Sequence, residues 1–281
     1  MKKRGGGMII RREPEGLYLF AQDDHAKVSG EMASFWGNDD FKPLSDEYRE
    51  AVILAARMHD CGWRRADRQI LLNPAGEPYD FVAYPLAERL SVYRQGVDEV
   101  EREHAYAALL CSLHYARFIQ AMRSLTGREK EQARMYLHSE AERRRRLVMQ
   151  LAHSSTPAAF RPDGQMDELT EYHFALLRLW DLLSLLLCMT TPGSRPDTWG
   201  AWFARGEIGM PASPGAERIV RVRWHGNDRI LLEPFPFSAP FQVTLPFRLL
   251  DWNALQTAEH VHEAFRSAEQ RAMKIWLCDR P

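Results

Sequence analysis

The sequence predicts a mainly α protein, a helical bundle core with a small antiparallel β accessory sheet. Three observations carry that expectation. About six segments between residues 22 and 192 repeat apolar residues at helical spacing. Strand patterning is confined to residues 8–20 and 217–248. A chain of 281 residues can bury a sizeable core as one domain, 1–281.

In chain order, Met8-Ile9-Ile10 and Leu17-Tyr18-Leu19-Phe20 flank the turn signal Pro14-Glu15-Gly16, which predicts a hairpin. Over residues 24–36, Val28, Met32, Phe35 and Trp36 recur at helical spacing, with Asp23 or Asp24 available as the N-cap and His25 in the first turn. Ser45 and Glu47 open a second helix through Ala51-Val52-Ile53-Leu54-Ala55-Ala56. It is apolar on every face, therefore central, and ends at Gly62 just past His59-Asp60. Residues 73–84 carry Pro74, Gly76 and Pro78, the turn chemistry of a long loop able to cover a pocket. Helical pattern resumes over 86–101, then over 103–124 with His104 and His114 on one helix, then over 128–153 and 168–189, where Pro192-Gly193 ends the core. A Pro- and Gly-rich linker over 192–214 leads to strands at 219–224, 229–232 and 241–245, the first two joined by the turn Gly226-Asn227-Asp228. A C-terminal helix over 257–277 is expected from Val261, Phe265, Ala268, Ala272 and Ile275. The hairpin and the later strands are expected to join in one accessory sheet, bringing the termini near each other.

Composition narrows the function. Hydrophobic residues make up 45% and charged residues 27%, an ordinary globular balance. With 37 Lys and Arg against 38 Asp and Glu, no overall field draws in nucleic acid or an anionic membrane. Met1-Lys2-Lys3-Arg4 resembles the start of a signal peptide, but Gly5 to Gly7 and then Arg11, Arg12 and Glu13 deny it an apolar stretch, so a cytoplasmic protein is expected. The apolar run over 174–189 contains Arg178 and Asp181 and reads as a buried helix rather than a span. Cys61, Cys111, Cys188 and Cys278 form no CxxC pair and read as reduced thiols, three of them within apolar helical pattern.

The chemistry concentrates at three places. Met58-His59-Asp60-Cys61-Gly62-Trp63 puts two ionisable groups after an apolar run, where burial without partners is costly; a cation or a hydrogen-bond network would satisfy them. Asp181 lies in Leu179-Trp180-Asp181-Leu182-Leu183-Ser184-Leu185, where an i,i+3 salt bridge with Arg178 is the structural alternative. His25 sits beside Asp23 and Asp24, where a local cap network would also account for it. Arg143-Arg144-Arg145-Arg146, flanked by Glu140 and Glu142, reads as a solvated charged face. Trp199, Trp202 and Phe203 read as packing onto the domain. His138, His153, His173 and His225 read as surface residues, and His260 and His262 lack an acidic partner at metal spacing.

Taken in order, a His, a His-Asp doublet and a distant Asp on an apolar helix resemble the signature of the HD superfamily of metal-dependent phosphohydrolases, over about residues 22–190. The phrases Gln22-Asp23-Asp24-His25, His59-Asp60-Cys61-Gly62-Trp63 with Asp67, Ser112-Leu113-His114 and Trp180-Asp181 also look like a bacterial family of unknown function. The resemblance implies an HD-type helical core over 22–192 with accessory β elements at 8–20 and 217–248. It implies that His25, His59, Asp60 and Asp181 converge on a divalent first-row metal ion such as manganese, iron or nickel. Asp60 and His114 then become catalytic candidates, and Trp63, Arg64 and Asp67 candidates for binding a small-molecule substrate. Where common members follow the doublet with glycine and lysine, this chain has Gly62-Trp63-Arg64-Arg65. His104 and His114, ten residues apart on one straight helix, would lie about 80° apart around it, which favours His114 alone. The implied reaction is attack of metal-activated water on a small phosphorylated metabolite or nucleotide. The alternatives are an HD-type di-iron oxygenase and a non-catalytic small-molecule sensor. The C-terminal strands offer either a homodimer interface or simple closure of the domain.

Overall fold

A computed structural model describes residues 7–152, 166–255 and 258–281; Met1-Lys2-Lys3-Arg4 and His153 lie outside them. The hairpin β1 (Ile9–Glu13) and β2 (Gly16–Phe20) leads into α1 (Gln22–Phe35) and α2 (Asp46–Met58). A short 3-10 segment, Cys61–Arg65, follows, then α3 (Leu86–Glu103), α4 (Ala105–Ala121), α5 (Gly127–Ala152) and α6 (Glu168–Met189). The chain finishes with β3 (Glu207–Ser213), β4 (Ala216–His225), β5 (Arg229–Glu233), β6 (Phe241–Asp251), α7 (Ala258–Ser267) and β7 (Gln270–Cys278).

The expected mainly α fold with a small antiparallel accessory sheet is corrected. Of the described residues 53% are helical and 23% strand, and the seven strands among them form one mixed sheet that curls into a half-barrel. Strand order is β1-β2-β6-β7-β5-β4-β3; β5 and β7 pair parallel, and the other neighbours antiparallel. Two strands account for the difference. The stretch read as linker contains β3, in which Ile208 and Met210 alternate inward despite Gly209 and Pro211. The helix expected over 257–277 stops at Ser267, and Gln270–Cys278 pairs with β6 along its length while burying Ile275 and Leu277. Ala272 and Ile275 fit a helical phase by coincidence; cross-strand pairing decides their state.

α6 occupies the middle, packing against α1, α2 and α4 on one side and against β1 and β3 on the other. Leu176, Leu177, Leu186 and Leu187 are buried in it, each worth roughly 1.5–3 kcal/mol relative to exposure. The helix is long and apolar enough to cross a membrane, yet 72% of its apolar window is buried inside the protein, so protein covers it. Asp167 caps it by accepting from the Thr170 amide at 2.8 Å. At its other end Arg11 of β1 donates to the Cys188 and Thr190 carbonyls at 3.3 and 3.2 Å, satisfying acceptors the helix leaves open.

Three local expectations also change. The helix read over 103–124 breaks at His104, which caps α4 by accepting from the Tyr106 amide at 3.1 Å, so His104 and His114 do not share one straight helix. The arginine run is a tie between helices rather than a solvated face. Arg143 pairs with Asp98 and Glu101 of α3 and with buried Glu140, while Arg144 donates to Ser112 of α4 at 3.1 Å. His173, read as a surface residue, is buried beside the Tyr106 hydroxyl at 2.9 Å. The four cysteines are buried free thiols, two of them in helices, Cys111 in α4 and Cys188 in α6.

Candidate metal centre

The site is assembled from four helix segments. α1 brings His25 in its first turn, the end of α2 brings His59 and Asp60, α4 brings His114, and α6 brings Asp181. Ligating atoms of His25, His59 and Asp60 lie within 4.8 Å of one another, and so do those of His59, His114 and Asp181. The two triads share His59. All three imidazoles are at most 2% exposed, whereas the Asp60 and Asp181 side chains are 12% and 10% exposed. Solvent therefore reaches the cluster past its carboxylates.

Hydrogen bonding fixes which nitrogens of His59 and His25 face the cluster. His59 Nδ1 is 2.8 Å from the Ala56 carbonyl, which only accepts, so Nδ1 carries a proton. Its Nε2 is buried without a hydrogen-bond partner, 3.4 Å from Asp181 Oδ1 and 3.8 Å from Asp60 Oδ2. Ser184 Oγ donates to the Asp181 carbonyl at 2.9 Å and lies 2.8 Å from His25 Nδ1, so the imidazole donates there. Ser29 Oγ donates to Ser184 Oγ at 2.9 Å and completes the set. His25 Nε2 then faces Asp60 Oδ2 at 3.0 Å, a pair of lone pairs that needs a proton or a cation between them. Both nitrogens of His114 are buried without a hydrogen-bond partner among the described residues, Nε2 standing 3.6 Å from Asp181 Oδ2.

The charges agree with this arrangement. Burial opposes charging His59, but the attraction of Asp181 and Asp60 outweighs it and holds the imidazole up at about 9. Burial takes His114 down to about 4 against the pull of Asp181, so it is neutral near pH 7. Burial also works against the charged form of Asp181, yet His59 and His114 bring its carboxyl down to about 2; His25 and His59 lower that of Asp60 in the same way. Once the His59 Nε2 proton is displaced, imidazole nitrogens and ionised carboxylates in one buried cluster are a donor set for a first-row divalent ion, so the residues fit such a group.

Outer contacts hold the donors in place. The Tyr115 hydroxyl donates to Asp60 Oδ1 at 3.1 Å, leaving Oδ2 for the cluster. Its ring stacks on Tyr93 at 3.9 Å, and burial pushes its phenol pKa up, so it stays a donor. Gly62 lets the 3-10 segment lie against α3: a Cβ there would stand 2.3 Å from the Val92 carbonyl oxygen. Sequence reasoning passed over Ser29 and Tyr115. Tyr115 adjoins His114, and Ser184 is one of the few polar residues in its apolar run; Ser29 carries no such signal.

The residues expected to bind substrate fall elsewhere. Trp63 is buried edge-on to Tyr84 and Tyr93 and belongs to the core rather than to a pocket mouth. Arg64 is taken by Asp23 at 2.7 Å and Glu99 at 2.5 Å. Asp67 Oδ2 accepts from the Gln22 amide at 2.8 Å, which supplies the cap that Ala21 cannot; Asp23 and Asp24, expected as caps, lie inside the first turn of α1. Asp67→Ala is therefore expected to cost about 1 kcal/mol in denaturant unfolding, and Asp67→Asn less because it keeps the acceptor. The alternative Asp181–Arg178 bridge is not formed among the described residues: Asp181 faces imidazoles, and Arg178 lies over the Phe174 ring at 5.8 Å.

Fold and site together define a mixed helix-and-sheet protein whose central helices enclose a buried histidine–aspartate cluster. Residues 8–252 match the family described as protein of unknown function (DUF3891), and the chain belongs to that family. No curated protein and no solved structure matches it.

Proposed function

We propose that the chain is a metal-dependent hydrolase of the HD type, acting in the cytoplasm on a small phosphorylated metabolite or nucleotide, with no nucleic acid or membrane as partner. One observation carries this reading: three buried imidazoles converge on two carboxylates, and both nitrogens of His114 lack a hydrogen-bond partner among the described residues while its Nε2 faces Asp181, a cost that a bound cation removes. A divalent ion held there supplies Lewis acidity toward a phosphoryl oxygen and toward water. Asp60, fixed through Oδ1 by Tyr115, presents Oδ2 to orient an attacking water and take its proton. His114, neutral, contributes a lone pair rather than a charge, and Ser184 with Ser29 holds His25 in the tautomer that turns Nε2 inward. The overlapping triads also favour a second reading, a two-ion oxygen-activating centre; dioxygen uptake by the iron-loaded protein would separate it.

Manganese-loaded protein is expected to hydrolyse at least one member of a panel of phosphate esters, with activity lost on chelation and restored by manganese. A loaded protein inert toward the whole panel overturns the phosphohydrolase reading. Because metal-free His59 titrates at about 9, cation binding near pH 7 must displace its Nε2 proton. Apparent affinity is then expected to rise roughly tenfold per pH unit from pH 7 and to level off above about 9. Titration calorimetry in buffers of different ionisation enthalpy should count about one proton released per ion near pH 7.

A further inference from the structure

Several arginines near the helical core are spoken for, Arg64 by Asp23 and Glu99, Arg143 by three carboxylates, Arg146 by Glu101. Arg117 of α4 and Arg178 of α6 have no carboxylate partner among the described residues, and both are exposed. Their place follows from the packing of the two helices. Tyr106 meets His173 at 2.9 Å, and eight residues further along each helix His114 meets Asp181 at 3.6 Å. The helices therefore run parallel, with His114 level with Asp181.

Arg117 lies three residues beyond His114, and Arg178 three residues before Asp181, so each stands on the side of its site neighbour, about 4.5 Å along the axis. One arginine is thus above the His114–Asp181 level and one below it. Aromatic rings flank both. Phe118 is edge-on to the His114 ring at 4.6 Å, and Phe174 underlies the Arg178 guanidinium at 5.8 Å. The exposed side of the cluster is its carboxylate side, and Arg178, one helical turn before Asp181, is close enough to feel its charge. Although it reaches solvent, Arg178 is partly desolvated against the helix; that desolvation and the like charge of Arg117 both disfavour its charged form, and Asp181 opposes them. An oxyanion between the two guanidiniums removes that repulsion, and the fork of each matches phosphate oxygens.

We propose that Arg117 and Arg178 form a clamp at the mouth of the cluster that binds the phosphate group of a phosphate monoester at the level of His114 and Asp181. The clamp rests on the reading of the cluster as a phosphohydrolase centre and replaces Arg64 as the group that holds the anion.

The test is calorimetric titration of inorganic phosphate into full-length protein, manganese-loaded and metal-free, for wild type, Arg117→Gln, Arg178→Gln and Arg64→Gln, with manganese per chain measured alongside. Each clamp variant is expected to bind phosphate about 10- to 100-fold more weakly at unchanged manganese content, Arg64→Gln to match wild type, and Arg178→Lys to recover only part of the loss. Unchanged phosphate affinity in both clamp variants, or a wild type that binds no phosphate in either state, overturns the clamp and leaves the metal centre standing. Manganese lost together with phosphate in the clamp variants assigns these arginines to the build of the centre and also overturns it. A wild type that takes up no manganese overturns the hydrolase reading, while phosphate binding that the clamp variants weaken in metal-free protein still supports the clamp.

Discussion

His59→Ala and Asp181→Ala are expected to leave the protein without bound metal under conditions in which the wild type retains manganese, iron or nickel in stoichiometric amount. Loss of an outer contact to a ligand typically weakens metal binding about 10- to 100-fold, so removal of a ligand should exceed that. His59 belongs to both triads, so its loss dismantles each, whereas His25→Ala and His114→Ala each leave one triad complete and should retain some metal. Elemental analysis with circular dichroism on the same samples separates metal loss from unfolding. A metal-free wild type that stays folded and takes up no added ion refutes the metal centre. The metal-free protein also has its own pH signature. The raised His59 pKa stabilises the fold fully below the unfolded value of 6.5, and that contribution is lost as pH rises through about 9. The lowered Asp181 pKa stabilises above 3.8, a contribution lost as pH falls through about 2.

Gly62→Ala should be the most damaging single methyl group that can be added near the site. Its Cβ would stand 2.3 Å from the Val92 carbonyl oxygen and 2.8 Å from the Gly96 amide nitrogen, both backbone atoms of α3. Neither can turn aside, so the Cys61–Arg65 segment must move off the helix, taking Asp60 away from Tyr115 and His25. A destabilisation of about 3 kcal/mol is expected, together with loss of metal. Gly96→Ala meets its neighbours at 3.1 to 3.3 Å, a few tenths of an ångström too close, and should cost clearly less. Denaturant midpoints for the two variants check the order; equal stability would show that the close approach does not hold Asp60.

The helices were legible because their apolar residues recur with a period the chain itself displays, and α6 falls within the residues its pattern indicates. The sheet was less so. β7 and β3 owe their state to partners distant in sequence, and neither the Gly209 and Pro211 of one nor the Ala272 of the other advertises a strand. Among site residues, His59, Asp60 and Asp181 stood out as ionisable groups in apolar helical pattern, but it was the resemblance of their order to the HD signature that joined them with His25, and His114 came from its place between the doublet and the last Asp. Trp63, Arg64 and Asp67 were placed by proximity to the doublet, and in the folded chain packing, ion pairing and capping claim them. His173 had a signal that proximity hid: it precedes Asp181 by the eight residues that separate Tyr106 from His114.

The position of β7 bears on how the chain is made. Of the seven strands it comes last in chain order, yet its place is in the interior of the sheet, between β6 and β5. Until residues 270–278 emerge, those two strands present open edges with unpaired amides and carbonyls, the surface through which nascent chains stick to one another. The helices close largely through contacts made earlier in synthesis, so the histidine–aspartate cluster can assemble before the half-barrel behind it is sealed. The family match ends at residue 252, short of this strand. A fragment cut at that boundary would carry every residue of the histidine–aspartate cluster and lack the strand that closes its sheet.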